Sequence, residues 1–229
     1  NNVFKRIDYI FACSKYSKKT HIEQGIPEEK IKLAGVGVDT DKFRPPKKPW
    51  DGEFRGLYVG AMNPLKGIKY LLMGWRNFAE KNQELVMCGD VDRSVSDIIK
   101  KYRKSIKLRI TGFVDPAEYY REASVFVFPS LTEGSEKVTL EAMASGLPII
   151  ATTNTHAAEV IKHGKEGFIV PIRDSESIEK YLRYFYDNPN EIKRMGRNAR
   201  RLAEKHTWDI FSKRMCRLFE MVYESGRGR

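Results

Sequence analysis

Three side chains in this 229-residue sequence could do chemistry together: Lys66, Glu133 and Glu141. The two glutamates are separated by seven residues in SLTEGSEKVTLEAMASGLPIIAT, 130–152. VFVFPS (125–130) is β-branched and aromatic and reads as a buried strand. VTLEAMAS (138–145) is rich in helix formers and is stopped by Gly146 and Pro148. The junction between a strand's carboxyl end and a helix's amino end is where α/β proteins bind ligands. Carboxylates placed there can accept hydrogen bonds from vicinal hydroxyls, and the free N–H groups of the helix can hold a phosphate. Hydroxyls, phosphates and hydroxyls in a row describe a nucleotide-sugar. Glu141 can equally be a first-turn carboxylate complementing the helix dipole, and Glu133 a loop charge; the residues alone leave the two readings level.

Lys66 lies in GAMNPLKG (60–67), which has neither the GxGxxG of a dinucleotide fold nor the glycine-lysine-serine order of a P-loop. What remains is a lysine at a helix amino end beside Gly67, which lets backbone approach a phosphate. Taken alone it reads more simply as a solvated charge. Against that, a cation at the positive end of a helix lacks a partner unless an anion is bound.

The elements that must position these groups alternate from residue 54 onward. FRGLYVG (54–60), ELVMCGD (84–90), KLRITG (107–112), VFVFPS, PIIAT (148–152) and EGFIVP (166–171) read as strands. GIKYLLMGWRNFAE (67–80) reads as an amphipathic helix, with Ile68, Leu71, Leu72 and Trp75 on one face. SVSDIIKKYR (94–103) reads as a helix opened by a serine cap, and PAEYYREA and AAEVIKH as short helices. Strands alternating with helices at this spacing predict a doubly wound parallel sheet covered on both faces, a Rossmann-like α/β fold. After 174 the sequence turns helical, ending in a helix from about Trp208. Before 54 lies one more strand–helix–strand unit, closed by the linker-like DTDKFRPPKKPWDG (39–52). The organisation expected is therefore a stub over 1–50, a main domain over 51–205 and a terminal helix over 206–229. The chain opens on Asn1 rather than Met, which points to a piece of something longer.

Cys13, Cys88 and Cys216 are scattered and lack metal-ligand spacing, which suits a reducing cytoplasm. The four histidines form no zinc-binding pair. The net charge of +11 is terminal: +5 over residues 1–50, +6 over 191–229 and zero between. Two solvated basic helices are the simpler reading. The sharper one is a single surface facing phosphate, anionic lipid or another domain. No helix-turn-helix, zinc-finger or RNP pattern supports nucleic acid as a partner.

Set in PS…EG…KVTLEAMASGLPIIAT, Glu133 and Glu141 resemble the signature of the retaining nucleotide-sugar glycosyltransferases of family four, which have the GT-B fold. The resemblance extends through FACSKYSKKTHIEQGIPEEKIKLAGVGVDTDKFRP (11–45), YVGAMNPLKGIKYLL (58–72), TGFVDPAEYYREASVFVFPS (111–130) and AEVIKHGKEGFIVP (158–171). It implies the carboxy-terminal, donor-binding half of such an enzyme. Glu133 would contact hydroxyls of the transferred sugar and Lys66 the diphosphate, the two acting as the catalytic residues. Glu141 would hold the ribose. The amides near Lys137, Val138 and Thr139 would hold the distal phosphate, Gly60, Gly134 and Ser135 would belong to the same donor-binding set, and Phe113 and Val114 would lie where the base pocket forms. Three departures stand out: Ala61 where an arginine is common, Gly134-Ser135-Glu136 where Gly-Phe-Gly is common, and Thr155-His156 in place of a glycine pair. The second departure is expected to change shape and charge near the sugar.

What the resemblance implies is movement of a hexose from a UDP- or GDP-linked donor to a hydroxyl, in glycan, polysaccharide or glycolipid synthesis. No metal cofactor is expected, since DVD (90–92) follows a different strand from the glutamates. The acceptor site is assigned to a missing amino-terminal domain, toward which 206–229 would pack, so this chain alone is expected to transfer little. The location expected is cytoplasmic, with peripheral contact at the inner face of a membrane left open. The competing reading is a stand-alone nucleotide-sugar-binding module without transferase activity.

Overall fold

The computed structural model describes residues 7–47, 52–79 and 82–227. Two sheets form. The smaller pairs β1 (Ile10–Ala12) with β2 (Ile31–Leu33) in parallel across helix α1 (Lys15–Glu23). It has a core of its own, in which Ala12, Ile26 and Ile31 are buried together.

The larger sheet contains β3 (Arg55–Val59), β4 (Glu84–Cys88), β5 (Lys107–Ile110), β6 (Val125–Phe128), β7 (Ile149–Thr152) and β8 (Gly167–Val170). Every pairing is parallel, and the spatial order is β5-β4-β3-β6-β7-β8. All four residues of β6 and of β7 are buried, as strands covered on both faces must be. The covering helices are α2 (Ile68–Phe78), α3 (Arg93–Arg103), α4 (Ala117–Glu122), α5 (Val138–Ala144), α6 (Ala157–Val160), α7 (Ser175–Asp187) and α8 (Pro189–Ala203). In α2 the expected stripe is buried, and Phe78 extends it. Gly74 lets α7 approach closely, because a Cβ there would meet the Ser175 carbonyl oxygen at 2.7 Å. The cap of α3 differs from the expected serine: Asp92 accepts from the Ser94 amide at 2.8 Å. The cap position lies two residues earlier than the serine, so the carboxylate of Asp92 takes it and Ser94 falls inside the first turn.

Helix α9 (Trp208–Arg227) leaves the larger sheet and lies against the smaller unit. Phe219 meets Phe11 edge to face, and Arg214 donates to the Ala34 carbonyl at 2.9 Å. In the linker, residues 48–51 fall outside the described residues.

Strand order reverses between β3 and β6, so consecutive helices leave to opposite faces there and a crevice opens at the carboxyl ends of that pair. The loops after those two strands carry Lys66 and Glu133.

Candidate functional site

The loop after β3 is shaped to deliver Lys66. The Tyr58 hydroxyl donates to the Ala61 carbonyl at 2.9 Å; burial and the nearby Glu133 push this phenol's pKa far up, so it stays a neutral donor. Asn63 caps the following turn by accepting from the Lys66 amide at 3.2 Å, with Pro64 at the first turn position. Gly67 then takes a left-handed φ of 68°, and a side chain there would clash with the Pro129 carbonyl oxygen. This glycine lets the β3 loop close onto the β6 loop. The closure is stitched by the Leu131 amide, which donates to the Leu65 carbonyl at 2.8 Å.

Lys66 and Glu133, 67 positions apart, form an ion pair through Nζ and Oε1, their side chains 25% and 10% exposed. The same Oε1 accepts from the Ser130 hydroxyl at 2.8 Å. The Glu133 amide donates to the Asn154 carbonyl at 3.0 Å, and the Asn154 side-chain amide donates to the Leu131 carbonyl at 2.9 Å. Glu133 is thus held from β3, β6 and β7 at once. Its Oε2 has no partner among the described residues.

Glu141 lies in the first turn of α5, and its Oε2 accepts from the Tyr120 hydroxyl at 3.2 Å. Burial pushes its carboxyl up; the Tyr120 hydrogen bond and the charges of Lys137 and Lys42 act the other way. Lys42 comes from the linker and pairs with Asp115 at 3.0 Å, in the loop that carries Phe113 and Val114. Phe113 is 87% exposed and makes no ring contact among the described residues, while Val114 is half-buried. Between the glutamates, the first amides of α5 have no side-chain cap. Lys137 is exposed, Val138 half-buried, and the Thr139 hydroxyl turns inward to Glu136. Gly134 is exposed, and the buried Ser135 hydroxyl has no partner among the described residues. Gly60 takes φ 146° and donates its amide to the Cys88 carbonyl at 2.9 Å, which fixes the start of the loop without a side chain in the crevice.

One expectation is corrected. Glu136 does not add charge to the crevice: it is 8% exposed and points into the protein. Its carboxylate accepts from the amides of His156 and Ala157, at 3.0 and 3.3 Å, and from the Thr139 hydroxyl at 2.8 Å. Burial pushes its carboxyl up, and these donors partly offset that. The amide pair at the start of α6 holds the extra carboxylate where a glycine would have left the pair open.

Sequence reasoning missed Ser130, Tyr120, Asn63, Lys42 and Asp115. The Asn-Pro step at 63–64 is a turn signal that pointed to the cap; the others carry no local signal. It also missed how the smaller unit docks. The Ser14 hydroxyl donates to the Gly134 carbonyl, Tyr16 and Thr132 hydroxyls are 3.4 Å apart, and Glu159 accepts from the amides of Lys15 and Tyr16 at 2.8 and 2.7 Å. These contacts reach the residues on both sides of Glu133.

The arrangement offers a half-buried cation, uncapped helix amides and two carboxylates that each keep an oxygen for a hydroxyl. Known proteins share the fold that carries it. The chain resembles sucrose synthase of Melioribacter roseus, 29% identical over 192 residues, covering 71% of this chain and 24% of that protein. It spans about half the length of other curated relatives it matches. Its structure superposes on sucrose-phosphate synthase from Thermosynechococcus elongatus with a TM-score of 0.86 at 22% identity, covering 98% of this chain and 60% of that one. It also superposes on Anabaena Alr3699/HepE, solved in complex with UDP-glucose, with a TM-score of 0.81 at 18% identity, covering 93% and 64%. The doubly wound α/β fold of the GT-B glycosyltransferases is the fold observed. The family profile of the group 1 glycosyl transferases matches residues 39–202, which span β3 to α8 with both glutamates and Lys66, and the chain belongs to that family.

Proposed function

We propose that this chain is the carboxy-terminal, donor-binding part of a retaining family-four glycosyltransferase, moving a hexose from a nucleoside diphosphate to a hydroxyl in glycan synthesis. The observation that carries this is the pairing of Lys66 with Glu133 where the strand order reverses. In the structure each side chain satisfies the other. A diphosphate draws Lys66 to itself and frees the Glu133 carboxylate for the sugar hydroxyls, so binding of the anion prepares the sugar site. Lys66 and the α5 amides then stabilise charge on the departing diphosphate, while the acceptor hydroxyl attacks from the same face. Glu141 receives the ribose hydroxyls, and Phe113 offers the base an exposed ring. The UDP-glucose held by HepE supports a UDP-linked hexose as donor. No metal is assigned a role in this scheme.

The unit of β1, α1 and β2, with the linker, forms the end of an acceptor-binding domain over 1–50, and 206–229 packs toward that domain. The contacts of α9 with Phe11 and Ala34 support this division. Among the described residues no helix is long and apolar enough to cross a membrane; a cytoplasmic location, in contact with lipid-linked acceptors, fits the reading.

Calorimetry with a panel of UDP- and GDP-sugars tests donor binding. Saturable binding of at least one is expected, and binding of none refutes the reading. Transfer to an added acceptor should be slight, since half of a two-domain cleft neither orients an acceptor nor excludes water. Robust transfer by this chain refutes the assignment of the acceptor site to another domain.

A further inference from the structure

At the amino ends of the strands, the pole opposite Lys66 and Glu133, lies a cavity of about 800 Å³. It is framed by the first residue of β3, the turn before β7, the proline pair 45–46 and one face of α8. The frame is fixed. Gly196 of α8 sits so close to Gly146 that a side chain would clash with the Gly146 carbonyl oxygen. Arg200 donates to the carbonyls of Thr40, Phe43 and Ala144 at 3.0, 3.0 and 2.8 Å, which pins α8 to the linker and to the end of α5.

The charge of this cavity is unbalanced. Each of its three acids faces an arginine: Glu118 pairs with Arg121, Glu122 with Arg109 at 3.8 Å and Glu204 with Arg200 at 2.7 Å. Lys193, Arg197 and Arg201 follow one another at four-residue spacing along one face of α8 and are exposed. With Lys47 they line the cavity, and none of the four has an ion-pair or hydrogen-bond partner among the described residues. Deeper in, Ser145 is 1% exposed, and its hydroxyl has no partner among the described residues. Pro45, Leu147, Pro189 and Ile192 add apolar wall.

We propose that this cavity is a second anion site, for a phosphorylated ligand whose body enters between the apolar walls. Guanidinium forks match phosphate oxygens in pairs. A phosphate monoester carries roughly −1.5 to −2 charge at neutral pH, so two such groups balance the four cations, where a single carboxylate does not. The ligand's source is a soluble phosphate ester or a lipid headgroup. The site is separate from the donor site and stands independently of the donor reading.

Inorganic pyrophosphate, titrated into the 229-residue chain and followed by amide NMR, tests the soluble source. Sedimentation with phosphatidylcholine vesicles, with and without phosphatidylglycerol, tests the lipid source. The exposed pair is reversed in an Arg197→Glu/Arg201→Glu variant whose folding is checked by melting temperature. A soluble ligand predicts saturable shifts at 145–147 and 193–201, weakened at least about tenfold in the double variant. A lipid ligand predicts no such shifts but phosphatidylglycerol-dependent sedimentation that the double variant loses. Absence of both responses overturns the proposal, as does either response surviving in the double variant. Shifts around Lys66 and 133–139 report the donor site separately, so its failure and this one are distinguishable.

Discussion

Replacing each glutamate by glutamine separates the roles assigned to them. Glu133 gives Oε1 to Lys66 and Ser130 and keeps Oε2; Glu141 gives Oε2 to Tyr120 and keeps Oε1. Each therefore has one oxygen to offer a ligand hydroxyl. A hydrogen bond to a charged acceptor contributes roughly 1.5–3 kcal/mol, which is about one to two orders of magnitude in affinity. Glutamine keeps the shape and one acceptor oxygen, so losses fall near the lower end. In Glu141→Gln, UDP and UDP-glucose should weaken by the same factor, because both contain ribose. In Glu133→Gln only UDP-glucose should weaken. UDP should bind as well as before or more tightly, since Lys66 no longer leaves an internal partner to meet the diphosphate. If Glu141 merely complements the helix dipole, its variant changes stability by about 0.3–1 kcal/mol and neither ligand selectively. Calorimetry with both ligands and both variants, with melting temperature as control, decides. Equal loss of UDP and UDP-glucose in Glu133→Gln refutes the assignment of Glu133 to the sugar.

Ser14 caps α1, and Glu159 adds acceptors for the helix's first two amides from another element, so Glu159→Ala removes a supplementary cap contributing roughly 0.5–2 kcal/mol. Hydrogen exchange over 14–23 should quicken by about 2- to 30-fold; unchanged exchange there would mean that other contacts hold the small unit. Donor binding should persist in chelator, and loss of binding that magnesium restores would reject the metal-free site. Burial lowers the pKa of His156, with Glu159 opposing and His206 reinforcing the shift. Its neutral form is thus favoured in the fold, and the unfolded chain takes up the proton first as pH falls below about 6.5. Between about pH 7.5 and 5.5 the melting temperature of His156→Gln should therefore fall less than that of the unaltered chain; an equal fall would show that His156 is not the group titrating.

The parts of this molecule that could be read from its sequence are those whose signal is local. The apolar spacing in α2, the β-branched runs of β6 and β7 and the stop at Gly146 each constrain a few neighbouring residues, and all appear as expected. The strand–helix junction carrying Glu133 and Glu141 was legible for the same reason. The direction of a loop side chain was not. Glu136 sits one turn from Glu133 in a polar segment, where a glutamate is ordinarily solvated. It points inward only because two amides at the start of α6, 20 and 21 positions away, converge on it. Lys42, Tyr120 and Glu159 were hidden likewise, since each takes its meaning from a partner in another element. Lys66 shows where the boundary falls. Its place at a helix amino end could be read, but what its charge does there depends on β3 and β6 being neighbours. Strand order is a property of the whole sheet, and under the proposed function the pair it creates would let one anion both fill the phosphate site and release the sugar-binding carboxylate.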